Sequence, residues 1–470
     1  MMRKSVVLLL MLFAGLLAAF LALTPVCNPL GSDGDIAMGL NGLVDAVPGE
    51  LLVKYHEPTL AIGRRIVNGA IGAREIERIE ELGVSHVALD PGIAPEEAAR
   101  RLDSMPGVEY AEPNIVLQMA MTPSDPFYMG RQKWYYELVG APKAWDVETG
   151  EPGVIVAVLD TGVDVTHPDL KDSIWTNRDE TPGNGIDDDN NGCLDDVRGC
   201  NFGQNEKECP FEPSTPNGDI DDDVGHGSFV AGIIAAKGNN AIGVIGIAPN
   251  VTVMPVKVLD CQGLLTASAV AQAIVYAAQE GARVINMSFG WEDATDDMTQ
   301  TMRAAIDIAH DQYGVVLVGA AGNDTRGTVA FPARYEKVIA VSASDHSKKD
   351  DKAYFSNWGT EIAVTAPGVD IASTLPLEFC GTMWTCLGEK PYAMEEGTSF
   401  SAPLVAGAAA LILSKGPPMS PDAVKSRLTS TARSLPDGSH ANWDGAGLIQ
   451  VDLALEGKSY QVGVSGITRN

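Results

Sequence analysis

Val154-Ile155-Val156-Ala157-Val158-Leu159-Asp160-Thr161-Gly162 decides the fold. Residues 154–159 are apolar at every position, so a strand built from them is buried on both faces. A carboxylate ends the run, and Gly162 permits a sharp turn after it. Runs of the same character recur at 251–259, 283–289, 315–318, 337–341 and 361–364. Between them lie stretches of helical character at 226–236, 266–280, 299–311 and 399–414, and Ser420-Pro421 opens a further helix. Strands alternating with helices predict an α/β fold, a parallel sheet with helices on both faces. Functional groups of such sheets gather at the carboxyl ends of strands, which is where Asp160 stands.

Upstream the rhythm differs. Residues 46–118 form a compact segment in which 50–55, 85–89 and 108–116 read as strands. The stretches 73–82 and 95–104 read as helices, the second with Pro95 at its start and acids in its first turn. Strand, helix, strand, helix, strand predicts a small α+β domain. A boundary of small and turn residues follows at 119–126. At the amino terminus Arg3 and Lys4 precede an uncharged run, 5–23, broken by Thr24-Pro25. This is the layout of a signal peptide over 1–27, followed by a linker over 28–45. Export with cleavage is expected; an uncleaved anchor or a lipid on Cys27 are the alternatives. The predicted order is signal 1–27, linker 28–45, small domain 46–118, large domain 119–456 and a short tail 457–470. The chain carries 62 acidic against 33 basic residues, a net charge of −29, which excludes nucleic acid and anionic membrane surfaces as natural partners.

Three separated motifs carry chemistry: Asp160-Thr161-Gly162, Gly225-His226-Gly227 and Gly397-Thr398-Ser399. A serine hydroxyl is a weak nucleophile until an imidazole takes its proton, and a carboxylate fixes the imidazole's tautomer and stabilises its charged form. The chain offers those groups in the order Asp, His, Ser, each at a strand end or a helix start. A fourth element, Gly319-Ala320-Ala321-Gly322-Asn323, follows another buried strand. The Asn323 amide is a suitable donor to an oxyanion because it does not titrate, and the Ser399 N–H at a helix start is a natural second donor.

The stretches 156–164, 225–232 and 397–403 resemble the three signatures of the subtilisin-like serine proteases, or subtilases. The resemblance runs from about 126 to 455 and implies an exported, self-processing serine endopeptidase. In it Asp160 orients His226, His226 is general base and acid, Ser399 is the nucleophile and Asn323 the oxyanion donor. Residues 46–118 resemble the family's propeptide, notably at 47–54 and 108–114, which implies a chaperone and inhibitor as internal partner. Ser288-Phe289-Gly290 resembles one substrate-pairing strand and Gly263-Leu264 the opposing one. Two departures stand out. Ser228-Phe229 replaces the usual Thr-His after the second motif, and Leu265 replaces a usual glycine, which predicts a narrower cleft. The resemblance also implies a calcium site of Asp125, Asp169 and Asn240 with carbonyls of Gly238, Ile242 and Val244. The expected partners are peptide or protein substrates and the chain's own propeptide, with the protein a monomer. The rival reading is a catalytically dead subtilase fold kept as a binding or scaffold module. A lipase-like hydrolase is excluded by the residue order and the missing Gly-x-Ser-x-Gly elbow.

The acidic run 187–196 alternates oxygen ligands and turns at Gly192, like the first half of a calcium loop. Asp187, Asp189, Asn191 and Asp195 stand at ligand spacing for Ca2+; a solvated acidic turn is the alternative. Asp221, Asp222 and Asp223 read as a solvated approach to His226. Besides Cys27, six cysteines remain, and in an exported chain an even number points to disulfides. Six allow fifteen pairings, of which Cys380 with Cys386 is the local one expected.

Overall fold

A computed structural model of the chain describes residues 46–56, 61–115, 122–203, 215–260, 262–348, 351–381, 384–388, 390–435 and 442–458. The expected signal and linker, Cys27, Cys209, Cys261, the stretch 116–121 and the tail beyond 458 lie outside these residues. The chain divides into two compact units, Met1–Gln118 and Met119–Asn470.

In the first unit four antiparallel strands, β1 (Ala46–Tyr55), β2 (Ala73–Ile79), β3 (Val84–Leu89) and β4 (Val108–Ile115), pair in the order β2-β3-β1-β4. Leu51, Val53 and Tyr55 alternate inward from β1 and meet Ala98 and Leu102 of the helix Pro95–Asp103. The predicted helix at 73–82 is a strand instead. Its Glu and Arg residues favour a helix locally, yet its backbone completes the edge of β3, and Ser85 donates to Glu75 at 2.7 Å. The Gly83 turn, φ 67°, reverses the chain between β2 and β3. A helix at Ala61–Gly69 was not predicted.

The second unit is a largely parallel sheet. Its strands are β5 (Ile155–Asp160), β6 (Cys200–Asn201), β7 (Thr252–Lys257), β8 (Ala282–Met287), β9 (Val316–Ala320), β10 (Val338–Asp345), β11 (Asp351–Lys352) and β12 (Ile362–Pro367). They order as β11-β10-β9-β8-β5-β7-β6, with β12 also on β10 and only β11 antiparallel. Val156 and Val158 face one hydrophobic layer with the helices His226–Ala235 and Thr398–Lys415. Ala157 and Leu159 face the other, with Ala267–Gln279 and Gln300–Asp307. Strands buried on both faces explain their unbroken apolar runs. After β5 the chain builds one side of the sheet through β7, then crosses to β8 on the other side. Asp160 therefore sits at the carboxyl end of the strand where the order reverses, the position at which open α/β sheets place ligands.

Thr398–Lys415 is apolar enough to cross a membrane, but 83% of it is buried as the unit's core helix. A hairpin of β13 (Ile371–Thr374) and β14 (Tyr392–Glu395) lies outside the main sheet. Disulfides join Cys380 to Cys386, as expected, and Cys193 to Cys200.

Candidate active site

The strand end and the helix start that carry Asp160 and His226 are locked together by backbone contact. A Cβ at Gly227 would lie 2.0 Å from the Gly162 carbonyl oxygen, and one at Gly162, φ 112°, would lie 2.4 Å from that of Asp221. Only glycine fits either place. His226 Nδ1 donates to Asp160 Oδ1 at 2.7 Å, and that oxygen also accepts the Thr161 N–H at 2.8 Å. Asp160 is buried, while a quarter of the His226 side chain is open to solvent. Burial works against a charged imidazolium. The Asp160 carboxylate, by charge and hydrogen bond, and the Asp222 charge outweigh it, so the His226 pKa lies above its ordinary value.

Asp222 is not part of a solvated charge run. It is buried, and it accepts from the N–H groups of Gly225 (2.8 Å) and Ser228 (2.8 Å) and from the Thr161 hydroxyl (2.7 Å). It caps the helix that carries His226, because the first N–H groups of a helix have no partner within it. Thr161 in turn accepts the Gly227 N–H at 2.9 Å, closing the frame around the imidazole. Asp223 pairs with the buried Lys257, and Asp221 is exposed with no ion pair among the described residues. Asp222→Ala strands several buried donors at once. It is expected to destabilise the fold by about 1–3 kcal/mol, at the cost of an unmade buried hydrogen bond. Thermal unfolding of an inactive Ser399→Ala chain with and without the change measures this, and an unchanged melting temperature contradicts it.

Phe229, where the family usually has histidine, is fully buried against Phe400 (4.6 Å between ring centroids) and stacks on Trp384 (5.4 Å). The Trp384 indole N–H donates to the Val224 carbonyl at 2.8 Å. The loop closed by Cys380–Cys386 thus packs on the turn that delivers His226. The His226 ring itself lies 5.5 Å from Phe400, the residue after Ser399.

Ser399 lies in the first turn of its helix. Its hydroxyl donates to the Ser288 carbonyl oxygen at 3.0 Å, and not to His226. Pro403 falls inside the helix, in its second turn. A proline there has no N–H for the carbonyl four residues back, which is that of Ser399. The Ser288 hydroxyl fills the gap, donating to that carbonyl at 2.8 Å. Asn323 Oδ1 accepts the Thr398 N–H and the Thr398 hydroxyl, each at 2.9 Å. Its Nδ2 therefore faces away as a free donor, 3.7 Å from where a Gly397 Cβ would stand.

Ser288, Phe289 and Gly290 follow β8 directly, with Ser288 buried and Gly290 exposed. Gly263 and Leu264 form a turn on Asp260, whose Oδ1 accepts the Leu264 N–H at 2.9 Å. Leu264 is exposed, and Leu265 is half-buried against the second hydrophobic layer.

Around the expected calcium residues the buried Asp169 accepts from Asn240 Nδ2 (2.7 Å) and the Val244 N–H (3.0 Å). Asp125 Oδ2 accepts the Asn239 N–H at 2.9 Å, while its buried Oδ1 has no hydrogen-bond partner among the described residues. Burial raises the Asp125 carboxyl, and the Asp169 charge adds to that. An orphaned oxygen between buried carboxylates fits a cation. In the acidic loop Glu180, Asp187 and Asp189 converge. Asp195 turns away, accepting the N–H groups of Asn184 (3.0 Å) and Gly185 (2.8 Å), and Asn191 donates to Asp189 and Asp196 at 3.0 and 2.9 Å.

Residues 151–447 match the family model described as Subtilase family, and residues 35–114 match the Fervidolysin N-terminal prodomain. The chain is 38% identical to a "Thermophilic serine proteinase" of Bacillus sp. (strain AK1), over 79% of each chain. It is 35% identical to an "Alkaline protease" of Alkalihalobacillus alcalophilus over 81% of this chain and 82% of that one. A solved structure titled for proteases from Pseudoalteromonas arctica PAMC 21717 is similar with a TM-score of 0.57 and 30% identity, over 72% of this chain and 99% of that one.

Proposed function

Because the chain belongs to the subtilase family of serine endopeptidases, we propose that it cuts peptide bonds through an acyl-enzyme on Ser399 and that it processes itself from a precursor. The observation that carries this reading is the Asp160–His226 hydrogen bond at 2.7 Å, on an imidazole whose ring lies beside the residue following Ser399.

The Ser399 hydroxyl first turns from the Ser288 carbonyl toward His226. His226 Nε2 takes the hydroxyl proton as Oγ bonds to the substrate carbonyl carbon. Charge gathers on the carbonyl oxygen, where Asn323 Nδ2 and the Ser399 N–H donate to it. His226 then gives the proton to the leaving amine as the C–N bond breaks, and water repeats the cycle to free the acid. Ser288–Gly290 and Gly263–Leu264 pair with the substrate backbone. The small unit 46–118 acts as the propeptide, a folding chaperone and inhibitor of the peptidase unit until it is cut, with the cut falling between about 117 and 122. Export, a monomeric state and no nucleic-acid partner belong to the same reading.

Asp125, Asp169 and Asn240, with the carbonyls of Gly238, Ile242 and Val244, would hold a calcium ion. When bound, it supplies charge neutralisation and closure of the 238–244 loop rather than chemistry.

A chromogenic peptide tests the reading. Product should appear in a burst equal to the enzyme concentration when deacylation is slow. A folded, processed chain that turns over no peptide supports the dead scaffold instead. Asn323→Ala is expected to leave KM nearly unchanged and to lower kcat by roughly 10²–10³, since the amide acts only on the developing oxyanion. An unchanged kcat removes Asn323 from that role.

A further inference from the structure

We propose that Glu180, Asp187 and Asp189 form a second site for a hard divalent cation of the calcium class, with Asp195 outside it. The proposal rests on the calcium reading above for the identity of the ion and departs from it in the ligands.

Each of the three carboxylates offers an oxygen, and these oxygens lie within 4.8 Å of one another. Calcium binds oxygens at about 2.3–2.6 Å, so two ligands across one ion stand up to about 5 Å apart. The spacing is that of ligands around a shared ion. Among the described residues no lysine or arginine pairs with any of the three, so three like charges face one another without a counter-charge.

Glu180 supplies the independent sign. It is only 7% exposed. One carboxylate oxygen accepts the Asp188 N–H at 2.8 Å, and the other is buried with no hydrogen-bond partner among the described residues. A buried carboxylate oxygen without a donor is costly, and a cation among its neighbours removes that cost.

The loop is built to hold this arrangement. Asn177 Nδ2 bridges Asp189 (2.9 Å) and the fully buried Asp196 (3.0 Å). Asp196 also accepts the Tyr276 hydroxyl, which ties the loop to the helix Ala267–Gln279. The Gly192 N–H donates to Asp187 at 2.9 Å. Asp195 accepts from the 184–185 turn with both oxygens and does not converge with the other three carboxylates. Glu180 lies seven residues before Asp187, outside the regular ligand spacing, so loop periodicity alone does not find it.

The test uses the full-length Ser399→Ala chain, stripped with chelator and dialysed against calcium chloride, with bound calcium counted per chain and titrated calorimetrically. Glu180→Gln and Asp187→Asn are each expected to bind one ion fewer than the parent. Asp195→Asn is expected to bind the parent's number, and Asp169→Asn to lose a different ion, so that Glu180→Gln with Asp169→Asn loses two. Near-UV circular dichroism checks the fold, and Asp187→Asn stands in if Glu180→Gln does not fold. A Glu180→Gln chain with the parent's count overturns the site, as it does if the orphaned oxygen simply carries a proton. Loss of an ion in Asp195→Asn overturns the ligand set. Loss in Asp169→Asn alone sinks this site and spares the family-type one; loss in Glu180→Gln alone does the reverse.

Discussion

Ser399→Ala is expected to abolish peptide hydrolysis and to leave the full-length chain uncut. In subtilisin, removing the nucleophile or the base costs about 2 × 10⁶ in kcat, because the triad acts as a unit. A loss of that order is expected here. The fold should survive the change. The serine hydroxyl makes one hydrogen bond, to the Ser288 carbonyl at 3.0 Å, which is worth about 0.5–1.5 kcal/mol. The helix keeps its cap, since Asn323 Oδ1 still takes the Thr398 N–H. Activity assays and the intact mass of the purified variant check both parts. A Ser399→Ala chain that shortens itself refutes self-processing, and one that still hydrolyses peptide refutes the nucleophile.

Asp160→Asn comes next in size, with kcat expected to fall by about 10⁴, the loss known for this change in another Ser-His-Asp protease. Asparagine keeps the shape and loses the charge. If its oxygen still accepts from both Thr161 and His226, the imidazolium that forms during proton transfer has no counter-charge. If the amide turns, its NH2 group faces His226 and selects the wrong tautomer. The pH profile carries a second signature. His226 must be unprotonated to accept the Ser399 proton, so activity rises as pH rises through its pKa. Asp160 is the strongest influence raising that pKa. The parent's acid limb should therefore lie above the ordinary imidazole value of about 6.5, and the variant's limb should move to lower pH beneath a far lower plateau. A kcat within tenfold of the parent, or an unmoved acid limb, contradicts the role given to Asp160.

The sheet and the candidate catalytic groups were legible because their signals are local. β5 is apolar on both faces, so its run is unbroken, and Asp160 follows it without a gap. Glycines flank His226 because the Gly162 carbonyl leaves no room for a side chain at 227, and because Gly225 has a φ of 92° and the Leu375 side chain against it. Groups defined by distant partners were not legible. Asp222 looked like its exposed neighbour Asp221, and only the fold turns it under the helix of His226, although its place just before that helix is a capping signal. Residues 73–79 carry a helix former's composition, and pairing with β3 overrides it. Glu180 lies outside any ligand spacing, and only its unpartnered oxygen marks it.

The most direct measurement of the central claim is labelling of the processed chain by a fluorophosphonate, followed by peptide mapping. One phosphonyl group per chain, on Ser399, is expected, with a rate that falls as acid protonates His226 and with none on Ser399→Ala. A folded, processed chain that takes no label, or takes it on another residue, contradicts the account.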